Sequence, residues 1–398
     1  MITQLASPAE LLCKLISIPS VSPMGRDVDG EIYLEHRLSD WLERYFSHLG
    51  ADCERISVMP GRDNVLAYFD AGIDRPTVLW DVHQDTVPVD GMTIPPFTPK
   101  EHQGRIYGRG AADVKGSMAS MLHAFARLFQ ERPRNAANVI LSCSCDEEAT
   151  AEGVRHLVAY WTGQRSASQR LVTAPTFAIV AEPTNLDVVV AHRGVLRFRV
   201  ITNGHACHSS QTELGDNAIY TMATVVQRLA KIARELESSL TVHPRCGGAR
   251  LSVGRIAGGT AVNIVPDHCE IEIDRRLIPG EEPEEIYRSL CQAFHDLGPR
   301  VSCMPPWLVS PALGDDHNAS LASALLRAIN EVAGKHEAIG VPFCTNAAMI
   351  SSTGVPTVVF GPGSIAQAHT VDEWIDVTQL NAAAEIYFRF VAEGAKTD

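Results

Sequence analysis

The sequence predicts an α/β protein in which a largely parallel sheet is interrupted by an inserted α+β domain of ferredoxin-like order. Three observations support this class. Short β-branched runs alternate with helical periodicity in the first half, the order then becomes strand, helix, strand, strand, helix, strand, and Pro305-Pro306 marks the return of the first pattern. We therefore expect one domain over 1–187 and 305–398, with a second domain inserted over 188–304.

The first domain is expected to begin with a capped helix. Ser7, Pro8 and Glu10 combine an N-cap serine, proline at the first helical position and a glutamate three residues after the cap. Apolar residues then recur at every third or fourth position from Leu34 to Leu49, as in a helix packed on a sheet. The remaining expected elements are strands at Asn64–Phe69, Thr77–Val82, Asn138–Cys145, Phe177–Ala181 and Thr357–Phe360, and helices at Lys115–Phe129, Ala319–Val332 and Gln379–Val391.

The inserted domain is expected to be a split βαβ unit with two helices. Alternating apolar residues indicate its strands and 3.6-residue periodicity indicates its helices. The expected strands are Val188–Thr202, Gly248–Ile256, Cys269–Leu277 and Arg300–Met304, and the expected helices are Asp216–Leu236 and Glu282–Leu297.

Length and composition describe a globular protein of about two domains. The 398 residues exceed what one hydrophobic core usually supports, and 45% hydrophobic with 20% charged residues is ordinary for such proteins. The net charge of -13, without a basic run, argues against nucleic acid or a membrane as partner. Ten scattered cysteines without a CxxC pair, together with an N-terminus unlike a signal peptide, predict a reduced, cytoplasmic protein.

Histidine and carboxylate side chains follow the strand that begins at Thr77. His83 and Asp85 come at its end, two positions apart, so both side chains lie on the same side of an extended backbone. Asp113 closes a separate glycine-containing run that starts at Gly108. Taken alone, the histidine and aspartate are more often a solvated strand end than a metal site.

The next strand ends carry further potential ligands. Glu147 and Glu148 follow one strand, Glu182 follows another, and His369 comes after the last strand and a glycine-rich turn. Each could be a solvated loop residue. However, the carboxyl ends of parallel strands meet at one edge of the sheet, so this edge would concentrate negative charge unless cations bind there. Imidazole nitrogen and carboxylate oxygen are ligands that zinc takes.

Five separated motifs resemble the M20-type family of metal-dependent aminoacylases and peptidases, which includes acetylornithine deacetylase, succinyl-diaminopimelate desuccinylase, aminoacylase-1 and carboxypeptidase G2. The motifs are His83 to Val87, Gly108 to Gly116, Asp146 to Glu148, Ala181 to Thr184 and Gly361 to His369. The last two are most similar to acetylornithine deacetylases. The resemblance implies a zinc-peptidase-like catalytic domain with a mixed, largely parallel sheet, and an inserted lid and dimerisation domain.

The resemblance also implies a centre of two divalent metal ions, zinc or alternatively cobalt. The implied ligands are His83 and Glu182 for one ion, Glu148 and His369 for the other, and Asp113 for both. Glu147 would be the general base that takes a proton from the attacking water and passes it to the leaving amine. Asp85 would orient His83 through its second ring nitrogen.

Three residues of the inserted domain match substrate-contacting positions of the family. By resemblance, His208 would reach across a homodimer interface to polarise the scissile carbonyl. Asn263 and Arg276 would bind the substrate carboxylate, for which the arginine fork is well suited. Without the resemblance, Arg276 would be interpreted as a strand arginine in a surface ion pair. Arg275 is expected to point to the opposite face of the strand.

Asn346 marks a departure from the acetylornithine deacetylases. Those proteins usually have Thr-Glu-Ala where this chain has Thr345-Asn346-Ala347. If Asn346 lies near the pocket for the substrate side chain, an ornithine ammonium group would lose a possible counter-charge. This difference favours a neutral N-acyl amino acid or a citrulline-like compound as substrate.

The expected function is hydrolytic removal of the acyl group from a small N-acyl amino acid. A dipeptidase, carboxypeptidase or desuccinylase with the same metal centre remains open, because these substrates share an amide and a free carboxylate. A non-catalytic metal-binding protein is the alternative of a different class. The presence of Glu147 beside the expected ligands argues against it, because binding alone requires no base.

Overall fold

The computed structural model of the chain describes residues 5–164, 168 and 170–397. The helices are α1 (Pro8–Ile16), α2 (His36–Leu49), α3 (Lys115–Glu131), α4 (Glu152–Trp161), α5 (Ala218–Ser238), α6 (Pro283–Gln292), α7 (Ala319–Val332), α8 (Ala347–Ser351) and α9 (Val377–Ala392). The strands are β1 (Asp52–Met59), β2 (Arg62–Phe69), β3 (Thr77–His83), β4 (Lys100–His102), β5 (Arg105–Tyr107), β6 (Asn138–Ser144), β7 (Phe177–Val180), β8 (Val188–His192), β9 (Gly194–Asn203), β10 (Val242–His243), β11 (Gly247–Gly248), β12 (Arg250–Gly258), β13 (His268–Leu277), β14 (Val301–Cys303), β15 (Leu308–Ser310), β16 (Ala338–Val341), β17 (Thr357–Val359) and β18 (Trp374–Asp376).

These elements form two compact units. The first unit contains the described residues up to Val190 together with 315–339 and 345–397. The second unit contains 191–314 and 340–344.

The first unit is built on a mixed sheet. Within the described residues this sheet has eight strands in the order β1-β2-β6-β3-β7-β17-β8-β16. The central strands β6, β3, β7 and β17 are parallel, whereas β1 and β2 continue antiparallel from β6 and β8 is antiparallel to β17. The α/β class with a mixed sheet is therefore confirmed, and parallel pairing is limited to these four central strands. Parallel pairing brings the carboxyl ends of β3, β6 and β7 to the same edge.

Helices α3 and α9 pack together, α3 packs against β2 and β3, and α9 contacts β3 through an aromatic pair. Trp80 of β3 and Tyr387 of α9 are fully buried, with ring centroids 5.3 Å apart. The Tyr387 hydroxyl donates a hydrogen bond to the carbonyl oxygen of Phe360 at 2.7 Å, so its polar end is satisfied inside the core. This packing fixes β3, the strand that ends at His83.

The predicted start of α1 is confirmed. Ser7 Oγ accepts a hydrogen bond from the Glu10 backbone N–H at 3.2 Å, and the Glu10 carboxylate accepts one from the Ser7 backbone N–H at 2.7 Å. These reciprocal contacts form a capping box that satisfies otherwise unpaired donors at the helix start.

The prediction of one continuous strand over Val188–Thr202 is wrong. The segment forms β8, which pairs with β17, and β9, which pairs with β13 in a different sheet. The chain changes direction around Arg193 and Gly194, where a Cβ on Gly194 would lie 2.6 Å from the backbone nitrogen of Ala312. Only glycine permits this close approach. The break is hidden in the sequence because both strands are rich in β-branched, buried residues.

The sequence pattern does not predict several short or half-exposed elements. Of the eight residues of β1, only Ile56 is buried, so its apolar alternation is weak. Helix α4 is also not predicted, although it directly follows the Glu147–Glu148 turn. The other elements without a prediction are β4, β5, β10, β11, β15, β16, β18 and α8.

The second unit has the expected ferredoxin-like arrangement. Within the described residues its sheet has five strands, in the order β12-β13-β9-β14 with β15 also paired to β9, and all these pairs are antiparallel. Helix α5 connects β9 to β12 and α6 connects β13 to β14. Phe198 and Ile271 of the sheet are fully buried, as is Met222 of α5, and they form one core cluster. The predicted order of strand, helix, strand, strand, helix, strand is confirmed.

Among the described residues, no helix is both long and apolar enough to cross a membrane. All ten cysteines lie in the described ranges, and each is a free thiol in the structure.

Gly153 provides a test of the packing behind the Glu147–Glu148 turn. A Cβ at this position would lie 2.7 Å from the Cys145 backbone nitrogen and 2.9 Å from Asn64 Oδ1. We expect Gly153→Ala to lower the free energy of unfolding by about 1–3 kcal/mol through overpacking. Gly254→Ala is the control, because a Cβ there meets no described atom within 4 Å. Thermal unfolding of both variants checks this, and equal melting midpoints would contradict it.

Candidate metal centre

Three neighbouring strands of the first unit deliver potential ligands to one edge of the sheet. His83 is the last residue of β3 and lies in register with Ser144, the last residue of β6. Glu148 follows β6 after a short turn, and Glu182 follows β7. The edge is therefore the one at which the sequence predicted the site.

Asp113 lies between two histidines. Its Oδ1 atom is 3.1 Å from His83 Nε2, and its Oδ2 atom is 3.2 Å from His369 Nε2. His369 Nε2 is also 3.3 Å from Glu148 Oε2. One carboxylate thus offers a separate oxygen to each imidazole, which is the arrangement a bridging ligand requires.

The other acidic residues complete two overlapping groups of possible ligands. The ligand atoms of His83, Glu147 and Glu182 lie within 4.8 Å of one another, and so do those of His83, Asp113 and Glu148. The structure therefore brings together the residues predicted as ligands and the residue predicted as base. Glu147 lies close enough to His83 and Glu182 to belong geometrically to one of the groups.

The glutamates of this cluster resist ionisation. Burial, partly opposed by His83 and reinforced by Glu148, raises the pKa of Glu147 to about 8. Burial and the charge of Asp113 raise the pKa of Glu148 to about 7. The same two causes raise the pKa of Glu182 well above its usual range. The carboxylates are too close together for all of them to be charged without additional positive charge.

The two imidazoles are correspondingly stabilised in their charged form. Burial disfavours the charged form of His83, but hydrogen bonds to Asp113 and Asp85 outweigh burial and raise the pKa of His83 well above normal. Hydrogen bonds to Asp113 and Glu148 raise the pKa of His369 to about 11. Burial alone would raise the pKa of Asp113, but hydrogen bonds from His369 and His83 reverse this and lower it.

The donor set fits divalent metal ions. Imidazole nitrogen and carboxylate oxygen in a compact cluster suit zinc and related ions. Glu148 Oε1 is buried and, among the described residues, has no hydrogen-bond partner. Because a buried acceptor without a partner is unfavourable, this atom is free to act as a ligand. Cations at this position would also relieve the repulsion between the carboxylates.

Asp85 joins His83 to the turn that carries the two glutamates. Its carboxylate accepts hydrogen bonds from the backbone N–H groups of Glu147 at 3.1 Å and Glu148 at 3.2 Å. His83 Nδ1 lies 2.9 Å from the Asp85 carbonyl oxygen and 3.6 Å from its carboxylate. Both groups of Asp85 therefore contact neighbours in the cluster, and the carbonyl is nearer to the imidazole.

Arg62 contacts the Asp85 carboxylate and is itself paired with Glu35. The sequence pattern predicts a role for neither residue. Arg62 Nη2 lies 3.3 Å from Asp85 Oδ2, and its guanidinium also contacts both oxygens of Glu35 and the carboxylate of Asp146. The Glu35 side chain is fully buried, and it also accepts a hydrogen bond from the Asp146 backbone N–H at 3.1 Å. No local motif marks these residues, because Arg62 is 27 positions from Glu35 and 84 from Asp146.

Asn346 lies inside the first unit and has partners there. Its side chain is 3% exposed, and Nδ2 donates hydrogen bonds to Asp81 Oδ2 at 3.0 Å and Ser144 Oγ at 3.2 Å. A carboxylate at this position would repel the buried Asp81 carboxylate. The hydrogen bond to Asp81 therefore accounts for an amide at position 346 without reference to the substrate. The neutral side chain is therefore not evidence for a neutral substrate, and substrate binding by Asn346 stays a prediction.

His208 and Asn263 come together in the second unit. The Ser209 backbone N–H donates to the Asn263 carbonyl oxygen at 3.0 Å, and His208 pairs with Ile264 in an isolated bridge. Both predicted residues are exposed, and His208 Nδ1 lies 2.7 Å from Ser210 Oγ. Their imidazole and amide groups are thus presented on neighbouring loops of one surface.

Arg276 belongs to a group of three arginines in the second unit. Arg275 is buried whereas Arg276 is half-exposed, so the expected alternation along β13 is confirmed. Arg276 Nε donates to Asp274 Oδ1 at 2.7 Å, and Arg250 stands directly opposite Arg276 in the β12–β13 pairing. Burial and the charges of Arg250 and Arg276 lower the pKa of Arg193. Positive charge is therefore concentrated on this part of the unit.

Comparison with known proteins places this architecture in a family. Residues 79–393 match peptidase family M20/M25/M40. An acetylornithine deacetylase from Pectobacterium carotovorum is 30% identical over 391 residues, covering 95% of both chains. A metallo-carboxypeptidase from Sulfolobus solfataricus has a TM-score of 0.78 at 17% identity, covering 98% of this chain and 99% of that one. A dinuclear metal binding peptidase from Bacillus subtilis has a TM-score of 0.68 at 17% identity, covering 97% and 96%.

The solved structures share the fold, and the family match spans the residues from β3 to α9. The ligand cluster from His83 to His369 lies within the matched range. The chain therefore belongs to peptidase family M20/M25/M40 and is a metal-dependent hydrolase.

Proposed function

We propose that this hydrolase removes the acyl group from an N-acyl amino acid by hydrolysing its amide bond at a dinuclear metal centre. The observation that carries the proposal is Asp113, which offers one oxygen to His83 and the other to His369 beside further carboxylates. The choice of an N-acyl amino acid rests on the 30% identity to acetylornithine deacetylase along 95% of both chains.

The proposed ligands are His83, Asp113, Glu148, Glu182 and His369, and the proposed ions are zinc or cobalt. Bound divalent ions of this kind polarise an amide carbonyl and make water more acidic. The side chains contribute the geometry. Asp113 keeps the two imidazoles on either side of one carboxylate, and Asp85 holds the turn that carries Glu148.

Glu147 is the proposed general base. Its carboxylate takes a proton from the water that attacks the amide carbonyl carbon and passes that proton to the leaving amine nitrogen. A carboxyl group that is not itself a metal ligand can both accept a proton and donate it again. The Asp85 carboxylate orients this residue through its backbone N–H.

The second unit is proposed to recognise the substrate. His208 would donate a hydrogen bond to the scissile carbonyl, and Asn263 and Arg276 would bind the substrate carboxylate. The neighbouring Arg193 and Arg250 support an anion at this position, because three guanidinium groups close together favour a negatively charged ligand. A dipeptide or an N-succinyl amino acid would present a carboxylate as well, so these are the competing substrates.

A homodimer is part of the proposal. Strand β12 lies at the edge of the second unit's sheet, and Ile256 on this strand is 58% exposed. Tyr220, Val262 and Ile264 of the same unit are also exposed large apolar residues. An edge strand beside exposed apolar side chains is a surface that favours association.

We expect Glu147→Gln to lower kcat by about 100-fold to 10,000-fold, because the amide cannot accept the proton of the attacking water. Bound zinc, measured by elemental analysis, should be retained. Glu152→Gln is the control, because Glu152 lies on the neighbouring helix α4 and pairs with Arg155. Unchanged hydrolysis by Glu147→Gln would rule out its role as base.

The substrate class can be tested with a panel of N-acetyl amino acids, N-succinyl amino acids and dipeptides, including N-acetylornithine. After removal of metal by a chelator, we expect no hydrolysis of any compound. After addition of zinc or cobalt, we expect the highest kcat/KM for an N-acetyl amino acid. A preference for dipeptides would replace the proposed activity by that of a dipeptidase.

Mixing two inactive variants tests the role of His208 across a dimer interface. If His208 acts on the partner's site, a heterodimer of His208→Ala and Glu147→Ala contains one site with both groups intact. With free subunit exchange, about a quarter of the sites should then be active. Mass spectrometry of the native oligomer measures the exchange, and the absence of activity in exchanged dimers would contradict action in trans.

A further inference from the structure

A fully buried glutamate, Glu373, lies four residues after His369 and directly before β18. Its side chain has 1% relative exposure. A buried carboxylate is strongly unfavourable unless hydrogen bonds or opposite charges surround it. The donors around Glu373 therefore indicate what the residue holds in place.

The donors come mainly from the loop that ends at Asp113. Glu373 Oε1 accepts hydrogen bonds from the backbone N–H groups of Ala112 at 2.8 Å and Asp113 at 2.9 Å. Glu373 Oε2 accepts one from the Gly110 backbone N–H at 2.8 Å and one from Arg109 Nη1 at 2.8 Å. One carboxylate thus satisfies three backbone donors of a single loop.

Arg109 connects this loop to two further segments. It is 3% exposed, and its Nη1 atom lies 3.3 Å from the carbonyl oxygen of Thr370, the residue after His369. Its Nη2 atom donates to the carbonyl oxygen of Pro88 at 2.9 Å. The loop of Asp113, the segment of His369 and the segment that follows Asp85 therefore share one buried ion pair.

These contacts fix the backbone of Asp113 in place. The backbone N–H of Asp113 is itself a donor to Glu373, so the position of this residue depends on the glutamate oxygen. If the carboxylate became an amide, one oxygen acceptor would become an NH₂ donor facing backbone donors. The loop would then have to shift, because buried donors left without acceptors are unfavourable.

We propose that Glu373 and Arg109 are positioning residues that set the Asp113 carboxylate between the imidazoles of His83 and His369. This inference rests on the proposed function, in which Asp113 would be a ligand of both metal ions. Removing the Glu373 carboxylate should therefore alter how metal is bound and not only how stable the first unit is. Mutation of a residue that hydrogen-bonds to a metal ligand typically lowers metal affinity by about 10-fold to 100-fold.

The test compares cobalt binding to Glu373→Gln with binding to the wild-type protein. We expect the affinity for Co²⁺ to fall about 10-fold to 100-fold and the visible absorption of the bound cobalt to change. We also expect kcat to fall more than KM rises, because the arginines proposed to bind the substrate carboxylate are untouched. Glu385→Gln on α9 is the matched control, because Glu385 pairs with Arg127 and Arg389 at the surface.

A second variant, Arg109→Lys, allows the same measurement if Glu373→Gln does not fold. Lysine retains the charge but cannot bind Glu373 and the two carbonyl oxygens with one planar group. We expect a smaller loss of cobalt affinity with a changed spectrum. If either folded variant binds cobalt with wild-type affinity and spectrum, the inference is overturned while the proposed function stands. If the wild-type protein binds no cobalt, both are overturned.

Discussion

The rest of the structure depends on an electrostatic constraint: several carboxylates must lie close together at one edge of a sheet. At an effective dielectric constant of about 20, two like charges about 4 Å apart repel by about 4 kcal/mol. A few such pairs would exceed the net stability of about 5–15 kcal/mol that is typical of a folded protein. The cluster therefore requires positive charge and hydrogen-bond donors from every side. The imidazoles of His83 and His369 supply part of this positive charge. The raised pKa values of Glu147 and Glu148 indicate that the cluster needs further positive charge.

Two buried arginines meet this constraint in similar ways. Arg62 forms an ion pair with Asp85, whose carboxylate accepts hydrogen bonds from the backbone N–H groups of Glu147 and Glu148. Arg109 forms an ion pair with Glu373, whose carboxylate accepts hydrogen bonds from backbone N–H groups of the Asp113 loop. In each case a buried ion pair orders a loop that presents a potential ligand. The two loops that carry Glu148 and Asp113 are thus each oriented by a buried arginine that is not itself a potential ligand.

Much of the candidate site could be predicted because its residues follow strands. His83, Glu148 and Glu182 stand at the end of, or within four residues after, strands whose alternation and β-branched content are visible in the sequence. Parallel pairing brings such strand ends together. The supporting residues leave no comparable signal. Glu373 receives hydrogen bonds from residues more than 250 positions away, and no periodicity relates such partners. The same reasoning explains the missed break at Gly194, where the decisive contact is with the distant backbone of Ala312.

The long separation between Asp113 and Glu373 has a consequence for how the protein is made. Their hydrogen bond spans 260 residues, and the whole second unit is encoded between them. During synthesis the N-terminal part of the chain emerges first, so the strands that carry His83 and Glu148 are made long before Glu373 and His369. A nascent chain that stops short of β18 lacks the acceptor for the Asp113 loop and one of the two imidazoles. The centre is therefore completed only after the segment from His369 to Glu373 has been added.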